Sequence, residues 1–292
     1  MKKDKIPLYD VVIPYHPKDA AVLSDCISSI RAHAVRAGTI FVVSSEKCPF
    51  SVAEPGVVWI EDSVFPFNVY DVLARVRSRK HREGWYMQQM IKLYCFRAIP
   101  FLRKKVLVMN SDCELLQDIE FVTPDGQQFY MDWSYRSIPP FYRHAKEVLG
   151  SELTPTPHRR SGPTDHMIFD RDIVEDFLAT IERLHNKRPA WMVILEAVHP
   201  DDKDAYGMSE YELVFNWAST HFPERVLLRK LPADTHMKVH GAFVPLSEQY
   251  AIDVGYFRQK YDTMKLLVAV LKLARNRPAR PTVEYMNMKF TV

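Results

Sequence analysis

Residues 106–109, Val-Leu-Val-Met, run without a polar break into Asn110-Ser111-Asp112-Cys113-Glu114. A short, continuous apolar run of this kind fits a strand buried on both faces, as in a parallel sheet covered by helices. In open α/β sheets, ligands bind just beyond the carboxyl ends of such strands. Asp112 and Glu114 would stand there as hard oxygen ligands one residue apart. That donor set suits a divalent cation, and through it a diphosphate. A solvated acidic turn after a strand would read the same way, so the rest of the chain has to decide between them.

Three further stretches repeat the pattern. Residues 10–16 read as a buried first strand ended by Pro14. A helix is expected over 19–36, with Val22, Cys26, Ile30 and His33 at helical spacing and Gly38 closing it. Residues 39–45 and 57–62 follow as strands with polar tips, the second ending in Glu61-Asp62. Strands joined by crossovers of this length predict an α/β fold, a mixed and mostly parallel sheet flanked by helices.

The middle of the chain supplies helices. Asn68 caps one over 68–80, and another runs over 84–96. On the latter, Trp85, Gln89, Lys92 and Phe96 share a face by their spacing. The face suits either a functional surface or a lysine that snorkels to water. A strand is expected over 127–133, a Pro-rich basic loop over 151–163 and an apolar segment over 164–169. Helices are expected over 173–184 and 190–198, then a polar turn over 201–207. Ser209 and Glu212 have the spacing of a capping box opening a helix that ends near 221. This gives Glu212 a structural role and leaves Glu210 without one. A late strand is expected over 226–228, strand or loop over 235–241, and a last helix over 263–275. One domain over 1–260, with the helix and tail of 261–292 packed on it, accounts for the pattern.

Composition narrows the chemistry. The net charge of +3 on 292 residues gives no general argument for nucleic acid, although basic residues cluster at 75–82 and 158–160. The four cysteines show no C-x-x-C spacing, as expected of reduced thiols in a cytoplasmic protein. No stretch reaches the roughly 18 apolar residues of a membrane span, and the charged start is not a signal peptide. With nine glycines there is no G-x-G-x-x-G, Walker loop, G-x-S-x-G or H-E-x-x-H. Any nucleotide must therefore be held without a glycine-rich cradle.

Four stretches together resemble GT-A type glycosyltransferases, and more closely a glycosyltransferase-like family of bacteria and large DNA viruses. They are Val12-Ile13-Pro14-Tyr15-His16, the run from Gly84 through Gln89 and Lys92 to Leu93, Asn110-Ser111-Asp112 at the D-x-D position, and Asp165-His166-Met167-Ile168-Phe169 with Ser209-Glu210-Tyr211-Glu212-Leu213. The likeness spans residues 8–245. It implies a Rossmann-like GT-A sheet and a nucleotide-sugar donor, with a UDP-sugar favoured. It also implies Mn2+ or Mg2+, a glycan acceptor and transfer with inversion. Asp112 is then the main protein carboxylate on the metal, with His240 as a further ligand and His236 second. Pro14, Tyr15, His16, Ser44 and Asp62 would form the nucleoside pocket, Tyr15 stacking on the base. Gln89, Lys92, Asn110 and Ser111 would line the rest of the donor site, Lys92 near the phosphates. Glu210 is the expected base, with Asp165 the second candidate. The chain departs from the family at Asn110, where the first D-x-D acid is usual. Asparagine brings no charge to a metal, so a binding module without turnover is the competing expectation. A nucleotidyltransferase would want a glycine-rich first loop where Pro14-Tyr15-His16-Pro17 stands.

Overall fold

The computed structural model describes residues 8–46, 55–131, 139–152 and 165–229, and the backbone of five short strands beyond them. A five-stranded sheet lies at the centre. Its strands are β1 (Tyr9–Pro14), β2 (Ala37–Ser44), β3 (Val57–Glu61), β4 (Lys105–Met109) and β7 (His166–Asp170), in the order β3-β2-β1-β4-β7. The first four are parallel, and β7 runs antiparallel to β4. The α/β class and the mostly parallel sheet expected from the sequence are what the chain forms. The winding reverses between β1 and β4, which makes their carboxyl ends the topological switch point of the sheet.

The apolar run that marks β4 is divided between two cores by the two-residue period of a strand. Val106 and Val108 pack with Val12, Met167 and Phe169 on one face. Leu107 and Met109 pack with Val11, Ile13 and Ile168 on the other. That second face is covered by α1 (Ala20–His33), whose Leu23, Cys26, Ile27 and Ile30 recur every third or fourth residue. The larger core lies under α3 (Glu83–Ala98), α5 (Arg171–Leu184), α6 (Ala190–Glu196) and α7 (Glu210–His221). α3 is buried on almost every side from Tyr86 to Phe96. Lys92 therefore does not snorkel; it is 3% exposed.

Several details differ from expectation. The strand of residues 106–109 does not continue through the acidic tip. Asn110 to Asp112 turn, and a separate strand, β5 (Cys113–Leu115), carries Glu114. Glu114 is buried and belongs to another strand from the one that Asp112 follows. β6 (Gln128–Met131) pairs in parallel with β8 (Val226–Arg229), outside the central sheet. A helix, α4 (Pro139–Leu149), fills a stretch where no element is expected from residue order. Gln127 to Trp133, expected as one strand, lies partly outside the described residues, as does the loop over 151–163. The helix expected over 263–275, His236 and His240 lie wholly outside them. Within the tail, Thr282–Tyr285 and Met288–Thr291 pair as a hairpin. Among the described residues no helix is long and apolar enough to cross a membrane.

Candidate active site

Because β1 to β4 are parallel, their polar tips line one edge of the sheet. Pro14 is buried, and exposed His16 uses Nδ1 to accept from the Lys18 amide at 3.2 Å, capping the turn into α1. Ser44 is buried, and its Oγ accepts from the Glu46 amide at 3.2 Å. Asp62 is half-buried, and burial followed by the neighbouring Glu61 raises its carboxyl above the usual range. Tyr15 differs from the open stacking platform expected of it. Its ring is 5% exposed and meets Trp59 of β3 edge-on, with centroids 5.7 Å apart.

At the switch point the tips of β1 and β4 are joined. Ser111 Oγ donates to Asp19 Oδ2 at 2.8 Å, linking the β4 tip to the entry of α1. Half-buried Asp112 stands close by, and its carboxyl is raised by burial first and then by the negative charge of Asp19. Cys26 from α1 turns its Sγ toward the Asn110 carbonyl at 3.7 Å. Burial, then the charges of Asp112 and Glu114, push that thiol well up, so it remains an S–H donor. Residue order marks neither Asp19 nor Cys26 as a site residue: Asp19 stands only at a helix start, and Cys26 only on the apolar face of that helix.

The reversal of β7 adds the next residue. His166 pairs with Met109, which sets Asp165 beside Asn110 at the same edge. The Asn110 amide donates to the Asp165 carbonyl at 2.9 Å, and Asn110 Nδ2 to Asp165 Oδ1 at 3.1 Å. Asn110 Oδ1 in turn accepts from Lys92 Nζ at 2.5 Å. Lys92 Nζ also donates to Glu210 Oε1 at 2.8 Å and to the Tyr211 hydroxyl at 3.0 Å, and lies 4.5 Å from the centre of the Tyr211 ring. The Lys92 and Glu210 side chains are each 4% exposed. Burial and the nearby carboxylates of Glu210 and Asp165 raise the Tyr211 phenol well above its ordinary range, so it stays protonated.

Helix α7 is held to this network from below. Ser209 Oγ accepts from the Glu212 amide at 3.2 Å, as a capping residue should. Glu212 Oε1 accepts from Asn216 one turn on, at 2.9 Å. Gln89 Oε1 accepts from the Glu210 amide at 3.1 Å, so a side chain of α3 caps the first residue of α7. The Gln89 Nε2 atom is buried with no hydrogen-bond partner among the described residues. Gly207 permits the approach: a Cβ there would come within 2.6 Å of both the Tyr86 hydroxyl and Val198. Glu210, which the sequence left without a structural role, thus has one as the partner of Lys92.

Among the described residues no three of His, Cys, Asp and Glu converge as a metal cage. Asp112 and Asp19 nevertheless offer two crowded carboxylates in partial burial. As hard oxygen donors, these are the residues that would hold an ion such as Mg2+ or Mn2+.

A family profile described as "Family of unknown function (DUF6492)" matches residues 25–234. No curated protein matches the chain. Among solved structures, the apo form of mouse xyloside xylosyltransferase 1 aligns with a TM-score of 0.47 and 13% identity, over 84% of this chain and 97% of that one. A likeness of that size carries neither a fold nor an activity across.

Proposed function

The chain belongs to DUF6492, a family of unknown function, and we propose that it is a metal-dependent glycosyltransferase using a nucleotide-sugar donor. One observation carries this reading. Lys92, Asn110, Asp165 and Glu210, far apart in sequence, form one hydrogen-bonded chain at the switch-point edge of the sheet, next to the Asp112–Asp19 pair. Those are the residues that the sequence resemblance to GT-A enzymes would put at the donor and acceptor.

Asp112 and Asp19 would hold a divalent ion, with His240 the further ligand that the resemblance suggests. The chemistry such an ion supplies when bound is neutralisation of charge gathering on a departing diphosphate. Lys92 holds Glu210 and the Asn110 amide in fixed positions, and fixed dipoles and charges stabilise a developing charge better than mobile water does. Glu210 is our candidate to take the proton of the attacking glycan hydroxyl, with inversion at the sugar. Half-buried Asp165 is the more open carboxylate and the second candidate. UDP is the favoured nucleotide.

The competing reading is a module that binds a nucleotide or glycan without turnover. The deep burial of Glu210 against Lys92 favours it, since an engaged carboxylate is a poor proton acceptor. Calorimetric titration with UDP, GDP and ADP, with and without Mn2+, followed by a transfer assay, separates the two. The transferase reading expects Mn2+-dependent UDP binding that Asp112→Asn abolishes. It also expects Glu210→Gln to keep binding and lose transfer by about 100-fold or more. Binding without transfer of any sugar supports the module. UDP binding unchanged in Asp112→Asn removes that residue from the site, and full transfer by Glu210→Gln passes the base role to Asp165.

A further inference from the structure

The basic run at 75–82 takes no part in the buried network, and its surroundings are unusual. It begins in the last turn of α2 (Val69–Val76), a helix that buries Val72 and Val76 against the body. The outer face of α2 is largely apolar: Val69 is 39% exposed, Tyr70 77% and Leu73 40%, and its one acid, Asp71, is paired with Arg75 at 3.6 Å. Surface helices ordinarily turn charge outward. Arg77 then stops the helix in a left-handed conformation, φ 52°, and the chain turns through Arg79, Lys80, His81 and Arg82 into α3.

This turn is pinned. Asp204 accepts from Ser78 Oγ at 3.1 Å, from the Arg79 amide at 2.6 Å and from Arg79 Nε at 3.0 Å. Arg82 lies over the rings of Trp85 and Tyr206, 5.6 and 5.3 Å from their centres, and Tyr206 is 55% exposed. Among the described residues no carboxylate pairs with Arg77, Lys80 or Arg82. The result is a fixed surface with an aliphatic and aromatic stripe beside three uncompensated cations. A soluble polyanion would engage the cations and leave the stripe bare, whereas an anionic bilayer takes both.

We propose that the outer face of α2 and the turn over 77–82 form a docking surface for an anionic lipid bilayer. Val69, Tyr70 and Leu73 enter the boundary between headgroups and acyl chains, and Arg77, Lys80 and Arg82 meet lipid phosphates. Tyr206 extends the aromatic rim, the position amphipathic rings favour. The proposal concerns binding and does not depend on the catalytic reading.

The test is co-sedimentation of the full chain with vesicles of phosphatidylcholine alone and of phosphatidylcholine mixed with phosphatidylglycerol. Binding to the mixed vesicles, weakened by salt, is expected, with little to the neutral ones. Arg77→Gln/Lys80→Gln should lower partitioning about 25-fold, on about fivefold per basic side chain. Tyr70→Ser/Leu73→Ser should also weaken binding, and both variants should melt with the wild type because the altered groups are exposed. Equal binding to both vesicles, no binding, or unchanged binding by either variant overturns the proposal. So does a wild-type dimer in sedimentation velocity that Tyr70→Ser/Leu73→Ser dissociates, since a second copy would then be what covers the face.

Discussion

Lys92 brings a full charge into the interior, and its partners decide whether that is tolerable. It meets a carboxylate, an amide oxygen, a phenol oxygen and an aromatic face, so its ammonium is enclosed by acceptors. Such a pair adds little net stability over an apolar substitute, yet removing one member leaves the other charge stranded. Lys92→Met should therefore cost about 3–5 kcal/mol. Lys92→Met/Glu210→Gln should recover a large part of that loss. Urea denaturation of the two variants measures both, and equal stabilities would mean that the pair is not coupled. A double variant that folds well and has no transferase activity would place the pair's value in function.

At the scale of elements, helices are joined by buried polar side chains reaching backbone ends. His144 of α4 uses Nε2–H to reach the Ile194 carbonyl in the last turn of α6 at 2.8 Å, satisfying an acceptor that the helix end leaves open. Burial brings its pKa down to about 4, and that of His166 down to about 3. Both are therefore neutral when folded and take up protons on unfolding near their ordinary pKa of about 6.5. The unfolded chain binds more protons in that window, so stability is complete above about pH 6.5 and falls as the solution is acidified toward 4. The His144 contribution to this loss is on the order of 3 kcal/mol. His144→Leu should lose about 1 kcal/mol at neutral pH, with its hydrogen bond to Ile194. It should also show a shallower decline between pH 6.5 and 4 than the wild type. Parallel pH profiles would contradict the assignment.

At the scale of the molecule, the sheet keeps polar groups at its two ends and apolar ones between. At the end opposite the site, Lys105 of β4 pairs with Asp170 of β7 and donates to Gln128 of β6 at 3.0 Å. Arg225 donates to the same Asp170 at 2.5 Å. Asp10 accepts there from the amides of Thr39 at 3.1 Å and Arg103 at 2.8 Å, tying β1, β2 and the approach to β4. Gly38 leaves room for that carboxylate, because a Cβ would come within 2.7 Å of Asp10 Oδ1 and 3.1 Å of the Tyr9 carbonyl. Gly38→Ala should cost about 1–3 kcal/mol through crowding. Thermal melting checks this, and an unshifted transition would mean that the sheet end relaxes freely.

Read from residue order, the chain already disclosed the four parallel strands of the central sheet, their polar tips, Asn68 and Ser209 as caps, and the helical face of Gln89 and Lys92. Those features are local: alternation, helical spacing and capping act within a few residues. The antiparallel return of β7, the turn that separates Glu114 from Asp112, the enclosure of Tyr15 and the pairing of Lys92 with a carboxylate 118 positions away were not legible. Each depends on which surfaces meet when the sheet closes and its two faces are covered. Burial then selects partners by distance and desolvation, and neither quantity is written in the spacing of residues along a chain.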